Sequence, residues 1–258
     1  MEHCWMVEPL DRLLSAGDVP DRTLAVVDGT QPAPVMDLFE EAFGSLEVDL
    51  TTRDIDADVE EAVVLVEDDD VVATSSIDSL RDTVLLVNSD LYTTGLSGIE
   101  QRDAPEILTE LDGAVYTLRG FPASTKEKLL LIVMSRYIEH RALEAGGGRL
   151  DVAFQKLSRI EDEYGTERIY RRLADSPVEV HAYGLPDSYP IDIDGLWTHT
   201  GDTEAYRRSW FVVFSSPGDR VDPAALFALE TGQNVWRSMW TYEPDRIDVI
   251  RQYIDRNF

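Results

Sequence analysis

Lysine is almost missing from this chain. Only Lys126, Lys128 and Lys156 carry it, against twenty arginines, and residues 1–120 hold none. Cys4 is the single cysteine, so an intrachain disulfide is impossible and a reducing compartment is expected. Long apolar stretches are missing as well. Runs such as Leu129–Met134 reach six residues, about a third of the roughly 18 to 20 that a membrane-spanning helix needs. At the N-terminus, MEHCWMVEPLDRLLSAGDVPDRT places acids where a secretory leader has basic residues and a long apolar stretch. Together these absences predict a cytoplasmic protein that does not cross a membrane.

Catalytic signatures are equally scarce. The four histidines, His3, His140, His181 and His199, show none of the close spacings of a zinc site, and one cysteine cannot complete a ligand set. The stretch Gly95–Gly98, GLSG, is one residue short of a serine nucleophile elbow. With 50 acidic residues in 258, paired carboxylates arise by chance and identify no acid–base couple.

What dominates is acidity. The formal charge is −27, and a carboxylate-covered surface with few lysine stems suits a concentrated salt solution, in which apolar association strengthens. The composition predicts a halophile's protein, and a surface this negative repels phosphates, which makes nucleic acid an improbable partner. Charge is unevenly spread: residues 1–120 hold 28 acids and 6 bases, residues 121–258 hold 22 and 17. Trp197, Trp210, Trp236 and Trp240 also fall in the second part. A boundary is therefore expected near Gly120, Phe121 and Pro122, between an acidic α/β domain of unknown role (1–120) and a second domain (121–258).

In the first part, TLAVVD, VMDLFEEAF and LEVDL read as strand, helix and strand, a β-α-β beginning. EAVVLVE and VVATSS flank an acid run and predict two strands joined by a turn. SIDSLRD predicts a short helix, TVLLVNS a strand, and VYTLRG another. Acid-tipped strands raise the thought of a magnesium-holding phosphoacceptor site, but such a site needs a lysine nearby. None exists in residues 1–120, and Glu67, Asp68 and Asp69 read as a solvated turn.

In the second part, Ser124 followed by Glu127 predicts a capped helix start. Leu129–Met134 is apolar all round, and Tyr137, Ile138 and Leu143 form a stripe among Arg136, Glu139, His140 and Arg141. The glycines Gly146, Gly147 and Gly148 follow this helix. A phosphate-cradling loop runs the other way, from strand through glycines into a helix, so these glycines predict a helix end. LDVAFQ then predicts a strand, GTERIYRRLA a helix with Ile169, Tyr170 and Leu173 inward, and VEVHAYG and LWTHTG two more strands. SWFVVF, with no polar alternation, predicts a central strand covered on both faces. DPAALFALE predicts a helix opened by Pro223. NVWRSMWTYE predicts a strand, and PDRIDVIRQYIDR a closing helix. The fold class is α/β (α+β): a mixed sheet flanked by first and last helices, GAF-like by analogy of element order, preceded by a small α/β domain.

The order of short blocks SRYIEHRAL, FQKLSR, VHAYG, SWFVVF, AALFALE and WTYEPDRIDVI resembles the DICT sensory domain, a module named for diguanylate cyclases and two-component systems, and is similar to haloarchaeal members in particular. The resemblance runs over roughly residues 121–256. Its carriers are Ser135, Arg136, Glu139, Phe154, Gln155, Tyr170, Tyr183, Gly184, Trp210, Val212, Val213, Ala224, Ala225, Leu226, Trp240 and Tyr242. It implies a non-enzymatic signal-input module for a small molecule or a signalling protein. No cyclase or kinase signature accompanies it, so output would pass to a separate protein or through residues 1–120.

Candidate ligand-binding residues follow from residue chemistry. His181 and Tyr183 share one strand face, opposite Val178, Val180 and Ala182, and line either solvent or a pocket unless a helix packs over them. Phe154 and Gln155 offer an aromatic wall and an amide, against the plainer reading of core packing and backbone bonding. Arg168, Arg172 and Arg208, with Arg171 and Arg207, could gather an anion or simply neutralise neighbouring acids. The alternatives are an enzyme with an unfamiliar site around His181, Tyr183 and the arginines, or an adaptor that dimerises through the helix at 124–145.

Overall fold

The computed structural model describes residues 14, 22–27, 43–44, 46, 48–52, 62–89, 105–119, 129–162, 164–186, 191–216, 218 and 221–258. The smaller of its two sheets contains β1 (Arg22–Val27), β2 (Asp49–Thr52), β3 (Ala62–Glu67) and β4 (Asp70–Ser76) in the order β2-β1-β3-β4. β1 and β2 are parallel neighbours, so a crossover joins them. The helix expected over 35–43 lies outside the described residues except for Phe43. β3 and β4 form an antiparallel hairpin whose turn residues, Asp68 and Asp69, have φ of 50° and 70°. A type I′ two-residue turn has positive φ at both central positions, and aspartate tolerates it better than most residues. The acid run is an exposed turn.

After β4 the chain enters α1 (Ile77–Ser89), where the Ser79 amide donates to Ser76 Oγ at 3.1 Å. That bond starts the helix at its N-terminus. The strand expected at TVLLVNS is a correction: those residues continue α1. No glycine or proline interrupts the sequence after Arg81, and a short apolar run cannot by itself distinguish strand from helix. α2 (Glu106–Glu110) is too short to show a periodicity.

The larger sheet takes β5 (Val115–Arg119), β6 (Arg149–Lys156), β7 (Glu179–Leu185), β8 (Leu196–Thr200), β9 (Ser209–Ser215), β10 (Ala224–Gly232) and β11 (Val235–Thr241). Their order is β5-β11-β10-β9-β6-β7-β8. β6, β7 and β8 run parallel; the other pairs are antiparallel. β5 lies ahead of the boundary expected at Gly120 and forms one edge of this sheet.

A second correction concerns DPAALFALE, which is β10 and not a helix. Alanine and leucine favour helices in isolation, but Ala224–Leu229 are all buried and divide alternately between the two faces. β10 lies between β9 and β11, and its turn into β11 uses Asn234 at φ 57°. Pairing on both sides overrides the local preference.

α3 (Leu129–Ala145), α4 (Arg159–Asp162) and α5 (Tyr164–Ala174) lie in the part of the chain that covers one sheet face; α6 (Glu204–Arg208) and α7 (Pro244–Asn257) belong with the other. Two apolar cores result. One joins α3 and α5 residues to Leu150, Val152, Val180, Ala182, Val212, Phe214, Leu226 and Trp240, and continues into Leu24, Val63 and Leu65 of the smaller sheet. The other holds Ala153, Tyr183, Phe211, Val213, Phe227 and Met239 beneath Ile247, Ile250 and Ile254 of α7. On α3, Leu130, Leu131, Val133, Met134 and Ile138 are buried within the chain's own core. The glycines end α3: Gly146 has φ +61°, and its amide donates to Leu143 O.

Candidate functional site

Alternation along β6 and β7 sets the site. Leu150, Val152, Val180 and Ala182 face the α3 and α5 side, so Asp151, His181 and Tyr183 face the other. Register places Asp151 beside His181 and His181 beside Trp197; one step on, Ala153 neighbours Tyr183, which neighbours His199. Neighbouring strands therefore bring together chemistry from residues far apart in the chain.

The centre is a fully buried carboxylate. Asp151 is 1% exposed. It accepts from Arg149 Nε at 3.0 and 2.9 Å, from Arg149 Nη2 at 2.8 Å, and from the Tyr183 hydroxyl at 3.0 Å. Burial alone would disfavour the Arg149 charge, but its hydrogen bonds and attraction to Asp151 outweigh that and hold the guanidinium protonated well above its usual range. Tyr183 is pushed up by burial first and by the Asp151 charge second, so its hydroxyl stays a donor.

Beside this triad lies a histidine pair. His181 Nδ1 and His199 Nε2 are 2.8 Å apart, and His181 Nε2 is 2.8 Å from Glu179 Oε1. The rings are stacked: His181 on His199 at 5.1 Å between centroids, His199 on Tyr183 at 4.6 Å, and His181 on Trp197 at 6.1 Å. Trp197 lies on the edge strand and is 60% exposed. His199 is shifted below 6.5, first by burial, then by the charges of His181 and Arg149, with Asp151 acting in opposition. Glu179 is lowered, first by its hydrogen bond to His181. Among the described residues no group of three or more histidine, cysteine, aspartate or glutamate side chains is placed to hold a metal ion.

The expected site residues do not converge on one place. His181 and Tyr183 sit together. Phe154 is on the opposite sheet face, edge-on to Tyr170 with centroids 5.6 Å apart. Gln155 is half-buried where the β6–β7 register shifts between Ala153 and Lys156. Arg168 and Arg172 are exposed on α5, whose Ile169, Tyr170 and Leu173 pack into the core on Phe154's side. Arg208 donates to Glu230 O, 3.1 Å from its Nε, and Arg207 to Asp202 O.

Arg149, Asp151, Glu179, Trp197 and His199 are site neighbours that the sequence reading does not single out. The usable signal is a shared spacing: His181 and Tyr183 are two apart, as are Trp197 and His199, on strands that pair. Parallel pairing between β7 and β8 is what aligns them.

A second polar cluster lies under the other face. Arg136 and Glu139, expected on the outer side of the helix, are 7% and 1% exposed. Arg136 Nη1 donates to Glu139 Oε2 at 2.7 Å, Arg136 Nη2 to Thr166 Oγ1 at 2.7 Å, and the Tyr170 hydroxyl to Glu139 Oε1 at 2.8 Å. Charges can be buried there because each partner compensates the other, and Thr166 and Tyr170 add hydrogen bonds to the pair. Gly184 has its own requirement: a Cβ would approach Leu157 Cγ to 2.8 Å and Phe154 O to 2.9 Å. These clusters contain several of the residues that carry the family resemblance.

Residues 105–229 match the family model of DICT, described as a sensory domain in diguanylate cyclases and two-component systems. The matched span includes β5 and both polar clusters and stops before β11 and α7. No curated protein and no solved structure matches the chain. Among the described residues no helix is long and apolar enough to cross a membrane.

Proposed function

We propose that this chain is a sensory and regulatory protein without catalysis of its own, receiving a small ligand or a signalling protein in two-component or cyclic-dinucleotide-type signalling. The match of residues 105–229 to a sensory-domain family carries the reading. Its input site is the β6–β7–β8 end of the larger sheet, where His181 and Tyr183 meet Asp151, Arg149 and His199. Phe154 packs on Tyr170 under the other sheet face and lies outside this input site, Gln155 lies at the irregularity in β6, and Arg168, Arg172 and Arg208 form outer charge rather than one anion pocket. The catalytic alternative needed His181 and those arginines in one constellation, and α5 packs on the other sheet face. A dimer zipped along 124–145 would have to use the partly buried Ile132, Tyr137 and Leu143, because Leu130, Leu131, Val133, Met134 and Ile138 are buried inside the chain.

The acidic first unit, 1–120, and the input unit from 121 belong to the same proposal, with β5 joining the input sheet. A halophilic, archaeal-type cytoplasmic setting is supported by the −27 charge and the near absence of lysine. The test is the native mass of the protein purified from a high-salt host, compared with its denatured mass, followed by retention of partners on the immobilised full chain. A bound small mass or one stoichiometric signalling partner supports the proposal. A bare chain that retains neither, from hosts sampled with and without stimulus, overturns it.

A further inference from the structure

We propose that His181 and His199 form a proton-binding site at the edge of the larger sheet, one that keeps its closed geometry with one added proton and opens with the second. The proposal is a property of the imidazole pair and stands whether or not the chain is a sensor.

Proton counting carries it. With Nδ1 of His181 and Nε2 of His199 2.8 Å apart, one nitrogen must donate and the other accept. In the neutral pair, His181 Nε2–H donates to Glu179, and His181 Nδ1 accepts from His199 Nε2–H. A first added proton goes to the Nδ1 of His199, or exchanges across the shared contact, and either arrangement keeps both hydrogen bonds. Charge assistance then strengthens the contact. A second proton leaves N–H facing N–H at the same short distance, and the contact must break.

The surroundings favour this separation of steps. On β6, Asp151 is neutralised by Arg149, which also lies 3.9 Å from Asp255 of α7. On β7, Glu179 holds the outer nitrogen of His181, and Tyr183 stacks on His199 while donating to Asp151. On α6, Glu204 pairs with Arg208 at 3.8 Å, Arg207 is held by Asp202 O, and Tyr206 donates to Phe258 O. Glu179 is thus the carboxylate bonded directly to the pair. It stabilises one positive charge on the two rings; the second meets like charge.

Opening has a place to act. The imidazole contact ties β7 to the edge strand β8, whose exposed Trp197 stacks on His181. Losing the contact removes this side-chain tie and leaves β8 held to β7 by its backbone pairing.

The experiment is an imidazole NMR titration of the full chain, assigned with His181→Gln and His199→Gln, with His3 and His140 as internal comparators. We expect the pair to titrate in two steps separated by more than about one pH unit, and each single variant to leave its partner titrating in one step. Equal midpoints for His181 and His199, unmoved in the single variants, would overturn the proposal. Should a variant not fold, the difference in emission between the unsubstituted protein and Trp197→Phe reads the same event on the intact pair. A change in Trp197 emission that accompanies the second, more acidic step supports the site; a flat trace, or a change completed with the first step, overturns it.

Discussion

At the scale of single residues, the most consequential group is the buried carboxylate of Glu139. Replacing it with alanine leaves Arg136 buried without its counter-charge and Tyr170 without its acceptor. We expect Glu139→Ala to lower the unfolding free energy by about 3 to 5 kcal/mol, the range for breaking one side of a buried ion pair. Equilibrium denaturation at constant salt checks it, and a loss below about 1 kcal/mol would mean that the cluster relaxes to water. Sequence periodicity puts Arg136 and Glu139 outside because charges normally stay solvated; it has no means of seeing that two charges and a phenol satisfy one another. By contrast, the inward set Ile169, Tyr170 and Leu173 is legible directly, since one helix face is apolar and the other carries Arg168, Arg171 and Arg172.

At the scale of elements, legibility depends on whether local pattern and tertiary pairing agree. β9 reads correctly because its valines and phenylalanines favour strands and its burial on both faces removes alternation. β10 has the same two-sided burial written in alanine and leucine, so its local preference points to a helix until β9 and β11 pair with it. The histidine cluster is illegible for a related reason: nothing within β7 or β8 alone states that they are parallel neighbours. The β3–β4 hairpin is an element whose turn can be tested. Asp69 holds φ 70°, which glycine adopts freely and a β-branched residue resists. We expect Asp69→Gly to change stability by less than about 1 kcal/mol, and Asp69→Val to lower it by about 1 to 3 kcal/mol. Thermal midpoints of the two variants decide it, and equal midpoints would mean that the turn rearranges.

At the scale of the whole molecule, two solution conditions bound stability. Tyr116, Tyr170 and Tyr242 are each raised well above 10.0, chiefly by burial. Their folded values exceed their unfolded ones, so this stabilisation is complete below pH 10 and is lost as pH rises towards the folded values. We expect alkaline unfolding and tyrosinate absorbance to appear together; phenols that ionise near pH 10 in a still-folded chain would contradict the burial. Salt is the second condition. With a formal charge of −27, self-repulsion weakens the fold as ionic strength drops. We expect the thermal midpoint to rise steadily from millimolar to molar potassium chloride, and a midpoint independent of salt would count against a halophilic setting. The smaller sheet and the α3–α5 face of the larger one share a single apolar core, from Leu24 and Val63 through Met134 to Trp240. Any message passed between the two sheets through that core therefore travels as repacking of side chains, not as the swing of a hinge. Its signature would be a change in calorimetric enthalpy and amide exchange, with the hydrodynamic radius left almost where it was.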